Sequence, residues 1–175
     1  MAIKTIFLDR DGVINKEINY LSKIEDFEFI DGVFEALLYF QRLKYEMIIV
    51  SNQSGIARGY FTEDDYQEIT TWMLSKFKAK NIHILDVFHC PHGPKSECNC
   101  RKPSPGMLIK AKKIYDINME NSWMIGDKET DVLAANNAGI VNTILVRSGH
   151  KIDEKNSSAK FFIESLKLSK NLINL

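Results

Sequence analysis

The chain has 175 residues, 45% of them hydrophobic and 26% charged, with 23 Lys plus Arg against 23 Asp plus Glu. That length fits one domain over 1–175 with a core of its own, and the composition excludes a disordered or collagen-like chain. A net charge of zero offers no field for nucleic acid or an anionic surface, and apolar runs such as Met47-Ile48-Ile49-Val50 are too short to cross a bilayer. The N-terminus meets Lys4, Asp9, Arg10 and Asp11 before a leader's apolar stretch could form, so a cytoplasmic location is expected.

The first buried strand is expected at Ile3 to Leu8, followed at once by Asp9-Arg10-Asp11-Gly12. Two carboxylates two residues apart supply a nucleophile and a general acid/base for phosphoryl transfer, although alone they read equally well as a turn cap and a solvated acid. Val33, Leu37 and Phe40 then recur at helical spacing behind Asp31, the expected N-cap. A second strand at Met47 to Val50 runs into Ser51-Asn52-Gln53-Ser54-Gly55, where a hydroxyl, amides and backbone N–H groups suit a phosphate oxygen or an ordinary polar turn. Thr62 and Asp65 form a capping-box pattern opening a helix to about Lys78, and a third strand is expected at Ile84 to Phe88.

Next comes Cys90-Pro91-His92 with Cys98-Asn99-Cys100. All three cysteines of the chain share this stretch with a histidine, which suits one closed tetrahedral Zn²⁺ better than disulfides. Four protein ligands leave no position for water, so this zinc is expected to be structural. Arg101-Lys102-Pro103 precedes a helix beginning near Pro105 and sets a fixed cation near the sheet rim. The fourth strand, Trp123 to Ile125, is followed by Gly126-Asp127-Lys128-Glu129-Thr130-Asp131, an acidic pair on one face of a helical turn that opens after Lys128. Asp9 and Asp127, with the Asp11 backbone carbonyl, suit Mg²⁺; N-capping by Asp127 is the plainer reading. A fifth strand is expected at Asn142 to Val146, a polar surface loop at Lys151 to Ser158 and a closing helix from Phe161 to Leu175. The lysines at 76, 78, 80, 110, 112 and 113 read as solvated helix faces.

Strands alternating with helices predict an open three-layer α/β/α Rossmann-like domain with a mainly parallel sheet and a site at the strand C-termini. The acid pair, hydroxyl, lysine and second acid pair fall in chain order, each after a strand or at a helix start. This ordered set, over residues 3 to about 147, resembles the haloacid dehalogenase superfamily of phosphohydrolases, in which Val13 stands where many members carry threonine. The resemblance, whose last motif is matched by Asp127 with Asp131, implies Asp9 as nucleophile, Asp11 as general acid/base, Ser51 and Lys102 as stabilisers of the phosphoryl group, and Asp127 as a Mg²⁺ ligand.

The short span from Asp11 to Ser51 leaves no room for a large cap, and an uncapped domain with no evident apolar patch is expected to be a monomer. The zinc loop running into Cys-Arg-Lys-Pro resembles the branch that holds histidinol-phosphate phosphatases and the heptose 1,7-bisphosphate 7-phosphatases of bacterial heptose synthesis. Asn52-Gln53-Ser54-Gly55-Ile56-Ala57-Arg58-Gly59 resembles the heptose side, since histidinol phosphatases usually carry Asp-Gly-Leu-Gly after Asn-Gln. By that resemblance Glu17, Ile18, Asn19 and Tyr20, Ser51 to Ser54, and Arg101 contact a small phosphorylated sugar. Its second phosphate needs cations, for which Arg58, Arg101 and Lys128 are candidates. A DNA 3′-phosphatase lacks support without a basic stripe, and a noncatalytic zinc-stabilised binding module is the remaining rival.

Overall fold

A computed structural model describes residues 2–174. Six strands form one sheet in the order β3-β2-β1-β4-β5-β6, with every neighbouring pair parallel. They are β1 (Thr5–Leu8), β2 (Glu46–Asn52), β3 (Asp86–Cys90), β4 (Trp123–Gly126), β5 (Asn142–Val146) and β6 (Phe161–Ile163). Four helices cross between them: α1 (Val33–Arg42), α2 (Glu63–Lys78), α3 (Gly106–Tyr115) and α4 (Glu129–Asn137).

Alternation along the strands divides the core into two layers. Ile6, Leu8, Met47, Ile49 and Ile125 meet Val33, Leu37 and Phe40 of α1 and Ile69, Met73 and Phe77 of α2. Their neighbours Phe7, Ile48, Val50 and Met124 point the other way, onto Met107, Leu108 and Ala111 of α3 and Ala134 and Ala135 of α4. Both sheet faces are therefore covered, as the near-continuous apolar strand sequences require. The α2 N-terminus carries the expected capping box, with Asp65 N–H donating to Thr62 Oγ1 and Thr62 N–H to Asp65 Oδ2.

Strand order reverses beside β1: the chain builds outward through β2 and β3, then returns to β4 on the other side. The crevice above the C-terminal ends of β1 and β4 is where an open α/β sheet leaves room for a ligand.

Four expectations need correction. The third strand runs Asp86–Cys90 and not Ile84 to Phe88, because β2 continues to Asn52 and pairs with His89 and Cys90. The segment from Phe161 is β6 and a 3₁₀ turn, Leu166–Asn171, because the open edge of β5 offers Phe161–Ile163 a backbone partner and Leu166 and Ile173 fill the α1 side of the core; Leu175 lies outside the described residues. Asp31 does not cap α1; Gly32, at φ +80°, holds the cap position, and Asp31 pairs with Lys167 at 3.0 Å. The first strand begins at Thr5, with Ile3 in an isolated bridge to Ile117.

Candidate active site

A cavity of about 350 Å³ opens above the ends of β1, β2 and β4. Asp9, Asp11, Glu17, Ile18, Asn19, Tyr20, Asn52, Gln53, Ser54, Arg58, Arg101, Lys102, Asp127 and Lys128 all line it, so residues spread over most of the chain are brought together.

Asp9 leaves β1 with its N–H bonded to the Ile125 carbonyl of β4, which fixes the carboxylate between the two strands. Lys102, only 3% exposed, donates to Asp9 Oδ1 (3.0 Å), Asp131 Oδ1 (2.7 Å) and the Val50 carbonyl (2.7 Å). An ammonium has three donors, and these partners engage all of them. Burial would depress the lysine, but Asp131 and Asp9 outweigh it and hold the ammonium charged. At Asp9 burial pushes the carboxyl well above its usual value; Lys102 opposes this, while Asp131, Asp127 and Asp11 add to it.

Asp11 faces the other way. Its oxygens accept from Arg10 Nη2 at 3.1 and 3.0 Å, Arg10 Nε at 3.3 Å, Asn15 Nδ2 at 3.0 Å and Gln53 Nε2 at 3.0 Å. Burial would raise this carboxyl, but Arg10 and the hydrogen bonds from Asn15, Arg10 and Gln53 hold it below the ordinary range. Gly12, at φ +82°, turns the chain so tightly that a Cβ there would stand 2.4 Å from Asp127 Oδ2, so the position demands glycine twice over.

Asp127 is buried at the end of β4. Its Oδ2 accepts from the His150 N–H (2.9 Å) and from His150 Nδ1 (2.6 Å), whereas Oδ1 is buried with no partner. Asp131 accepts the N–H groups of Asp127 and Lys128 on one oxygen and Lys102 on the other. Asp9, Asp127 and Asp131 bring one carboxylate oxygen each within 4.8 Å of one another. The third member of this carboxylate cluster is thus Asp131, not the Asp11 side chain. Because both Asp131 oxygens are engaged, it orders its neighbours, and it rather than Asp127 satisfies the backbone at the start of α4. The orphaned Asp127 Oδ1 beside Asp9 suits a hard divalent cation, which prefers one or two carboxylates with water and phosphate.

Ser51 is not on the cavity wall. Strand β2 continues through it to Asn52, pairing it with His89, so the hydroxyl sits beneath the rim and accepts from Gln53 Nε2 at 2.7 Å. Asn52 ties the rim together: its amide donates to the Lys102 carbonyl (3.1 Å) and its oxygen accepts the Lys102 N–H (3.0 Å). Glu17 is half-buried, and burial together with Asp11 pushes it up to about 7 against the pull of His150.

The second cluster also assembles. Sγ of Cys90 lies 3.0 Å from Cys100 Sγ and 3.7 Å from Cys98 Sγ, and His92 Nδ1 lies 3.4 and 3.2 Å from the Cys90 and Cys100 sulfurs. Three sulfurs and an imidazole nitrogen come together as a group that could hold a metal ion, and soft donors of this kind suit Zn²⁺. Burial, with Cys100 beside it, pushes the Cys90 thiol up to about 12, a cost that a bound cation would remove. The loop is wired to the cavity: the Gln53 N–H reaches the Cys90 carbonyl, the Ala57 N–H the Pro91 carbonyl, and Arg101 Nη1 the His92 carbonyl.

Two residues of the site escaped the sequence reading. Arg10, 1% exposed beneath the Tyr66 ring, clamps Asp11, and nothing in Asp-Arg-Asp marks the middle residue as buried. His150 follows Gly149 just beyond β5, and the rule that function follows strand ends would have singled it out.

A parallel sheet with this strand order, carrying two acid pairs and a buried lysine at its carboxyl edge, defines a phosphohydrolase of the haloacid dehalogenase type. A HAD-hydrolase-like family model matches residues 99–167. The chain is 49% identical to D-glycero-alpha-D-manno-heptose-1,7-bisphosphate 7-phosphatase of Photorhabdus laumondii, over 90% of each chain. It is 45% identical to D-glycero-beta-D-manno-heptose-1,7-bisphosphate 7-phosphatase of Vibrio cholerae, over 89% of this chain and 87% of that one. The crystal structure of D,D-heptose 1,7-bisphosphate phosphatase from B. bronchiseptica, complexed with magnesium and phosphate, superposes with a TM-score of 0.85 at 28% identity, covering 97% of this chain and 98% of that one. The chain belongs to the heptose-1,7-bisphosphate 7-phosphatase family of the haloacid dehalogenase superfamily.

Proposed function

We propose that this chain removes the C7 phosphate of D-glycero-D-manno-heptose 1,7-bisphosphate by way of an aspartyl-phosphate on Asp9. The observation that carries the reading is the division of the cavity into a floor of carboxylates around buried Lys102 and a rim with Arg58, Arg101 and Lys128. A bisphosphate needs both: a reacting end beside a nucleophile, and cations for the phosphate that stays.

The ionised form of Asp9, which Lys102 favours, attacks phosphorus, and the bond to the C7 oxygen breaks as the protonated form of Asp11, the minor form while Arg10 holds it, gives that oxygen a proton. Asp11 then takes a proton from water, which attacks the acyl phosphate and frees Asp9 and inorganic phosphate. Lys102, with its donors engaged, acts by aiming Asp9 and by its charge, and Ser51 supports Gln53 from below the rim. Asp9 and Asp127, with the Asp11 carbonyl, would hold Mg²⁺, which when bound offsets the charge of the phosphoryl oxygens. His150 orients Asp127 for that task. His150→Ala is expected to weaken Mg²⁺ binding by about 10-fold or more, read by calorimetric titration, the usual scale for partners that orient a metal ligand; unchanged affinity would mean that the backbone N–H of residue 150 suffices.

Zn²⁺ on Cys90, His92, Cys98 and Cys100 would pin the loop that carries Arg101. Cys98→Ser is expected to lose zinc and to lower the unfolding midpoint by roughly 5–10 °C, corresponding to about 2–3 kcal/mol. Full stability in a zinc-free protein would remove the structural role. No helix of the described residues is long and apolar enough to cross a membrane. The reading takes the whole chain, 1–175, as one catalytic domain working as a cytoplasmic monomer on a small phosphorylated sugar, without nucleic acid.

Phosphate release with Mg²⁺ from both anomers of the heptose bisphosphate and from histidinol phosphate tests the proposal. Preference for one heptose anomer is expected. Preference for histidinol phosphate would overturn the substrate, and no release from any of them would leave the binding-module reading.

A further inference from the structure

The cavity has one rigid wall and one soft wall. The rigid wall follows β2, where Arg58 N–H bonds the Ser54 carbonyl, Gly59 N–H the Ile56 carbonyl and Tyr60 N–H the Gly55 carbonyl at 2.9 Å. Behind it Phe61 packs so closely on Gly55 that a Cβ there would stand 2.1 Å from the ring. This segment is a stack of turns with its backbone internally bonded.

The opposite wall is the segment 17–20, which carries no helix or strand and exposes Ile18 and Tyr20. It is held at its ends, by the Lys16 N–H on the Glu28 carbonyl and by buried Leu21. At its far end, next to Leu21, Tyr20 sits at φ +59°, in the left-handed region that is uncommon for a tyrosine and marks a position its surroundings hold.

What holds it comes from the rigid wall. The Tyr60 ring meets the Tyr20 ring at a centroid distance of 4.4 Å and a tilt of 57°, and the Arg58 guanidinium lies 5.9 Å from the Tyr20 ring centre. Tyr60 itself is 58% exposed and absent from the cavity lining, so neither the core nor direct substrate contact accounts for a large ring at this place. An aromatic pair of this kind prefers the tilted arrangement seen here.

We infer that Tyr60 is a positioning residue for substrate recognition: by clasping Tyr20 it locks the soft wall of the cavity against the rigid one, doing for this uncapped site what a cap does elsewhere. The inference rests on the heptose reading only in that the locked wall contacts the part of the substrate beyond the reacting phosphate. Within that wall the clasp holds Tyr20, whereas Glu17 is the member that senses Asp11 and His150, so the lock governs binding of the sugar and not the chemical step.

The test compares Tyr60→Ala and Tyr60→Phe with the unaltered enzyme, using the heptose bisphosphate and acetyl phosphate, a monoacyl phosphate too small to span the cavity. For Tyr60→Ala the KM for the heptose bisphosphate is expected to rise about tenfold with kcat within twofold, while both constants for acetyl phosphate stay put. Tyr60→Phe keeps the ring and is expected to behave as the unaltered enzyme. Limited chymotrypsin digestion, scored by mass for the cut after Tyr20, is expected to be several-fold faster in Tyr60→Ala with no substrate present. Unchanged KM in Tyr60→Ala overturns the inference, as does a parallel loss toward both substrates with a lowered unfolding midpoint, the mark of a merely structural ring. Should the unaltered enzyme ignore the heptose bisphosphate, the functional reading fails by itself; the cut after Tyr20 then decides the clasp, and an unchanged rate overturns it.

Discussion

Asp9→Asn is expected to lower phosphate release by about four to six orders of magnitude, the range seen when a covalent nucleophile is removed. The amide has the shape of the carboxylate but no charge with which to attack phosphorus, and the neighbouring carboxylates have other work: the unpartnered oxygen among them, Asp127 Oδ1, is the oxygen suited to the divalent cation. Asp131 has both oxygens engaged, and Asp11 is held by Arg10, Asn15 and Gln53 away from the carboxylate cluster. The fold should survive, because Lys102 keeps Asp131 and the Val50 carbonyl as partners and the Asp9 N–H still bonds Ile125. Steady-state release, zinc content and the unfolding midpoint measured on one preparation check this. Substantial residual turnover would remove Asp9 as nucleophile.

Lys102→Met is expected to damage both stability and catalysis. The ammonium lies at the meeting point of two buried carboxylates and the end of β2, so its loss leaves Asp9 and Asp131 facing each other uncompensated. Removing one partner of a buried ionic cluster costs about 3–5 kcal/mol, and the midpoint should fall by about 10 °C. Turnover should fall by about 10²–10³-fold, the scale of losing one preorganised charge beside a transferring group. Lys102→Arg is not a rescue, since a planar fork cannot address three oxygens set around a point charge. Undiminished stability and turnover in Lys102→Met would contradict the arrangement.

Much of this was legible because the chemistry of the fold is written at strand ends. Asp9, Asn52 and Asp127 each stand at or just past the last residue of a strand, and the alternation that buries Phe7 on one face and Leu8 on the other shows up as unbroken apolar runs. The cysteine cluster was legible because spacing alone brings four donors into one short loop. Less visible were features decided by register and by distant partners. Ser51 looks like a rim residue until β2 is seen to continue through it. Phe161–Ile163 has a helix-compatible pattern, and only the free edge of β5 turns it into a strand. Arg10 acts through a contact that carries no local signature, buried beneath Tyr66, whereas His150, which returns over Gly149 to Asp127, lies just beyond β5, where its place after a strand end was the signal.

The most direct test of the central claim is a rapid-quench experiment with Mg²⁺ and heptose bisphosphate carrying labelled phosphorus at C7. The account predicts a transient acid-stable label on the peptide containing Asp9, decaying into free phosphate, with the C1 phosphate left on the sugar. Label on any other residue, or release of the C1 phosphate in its place, would contradict it.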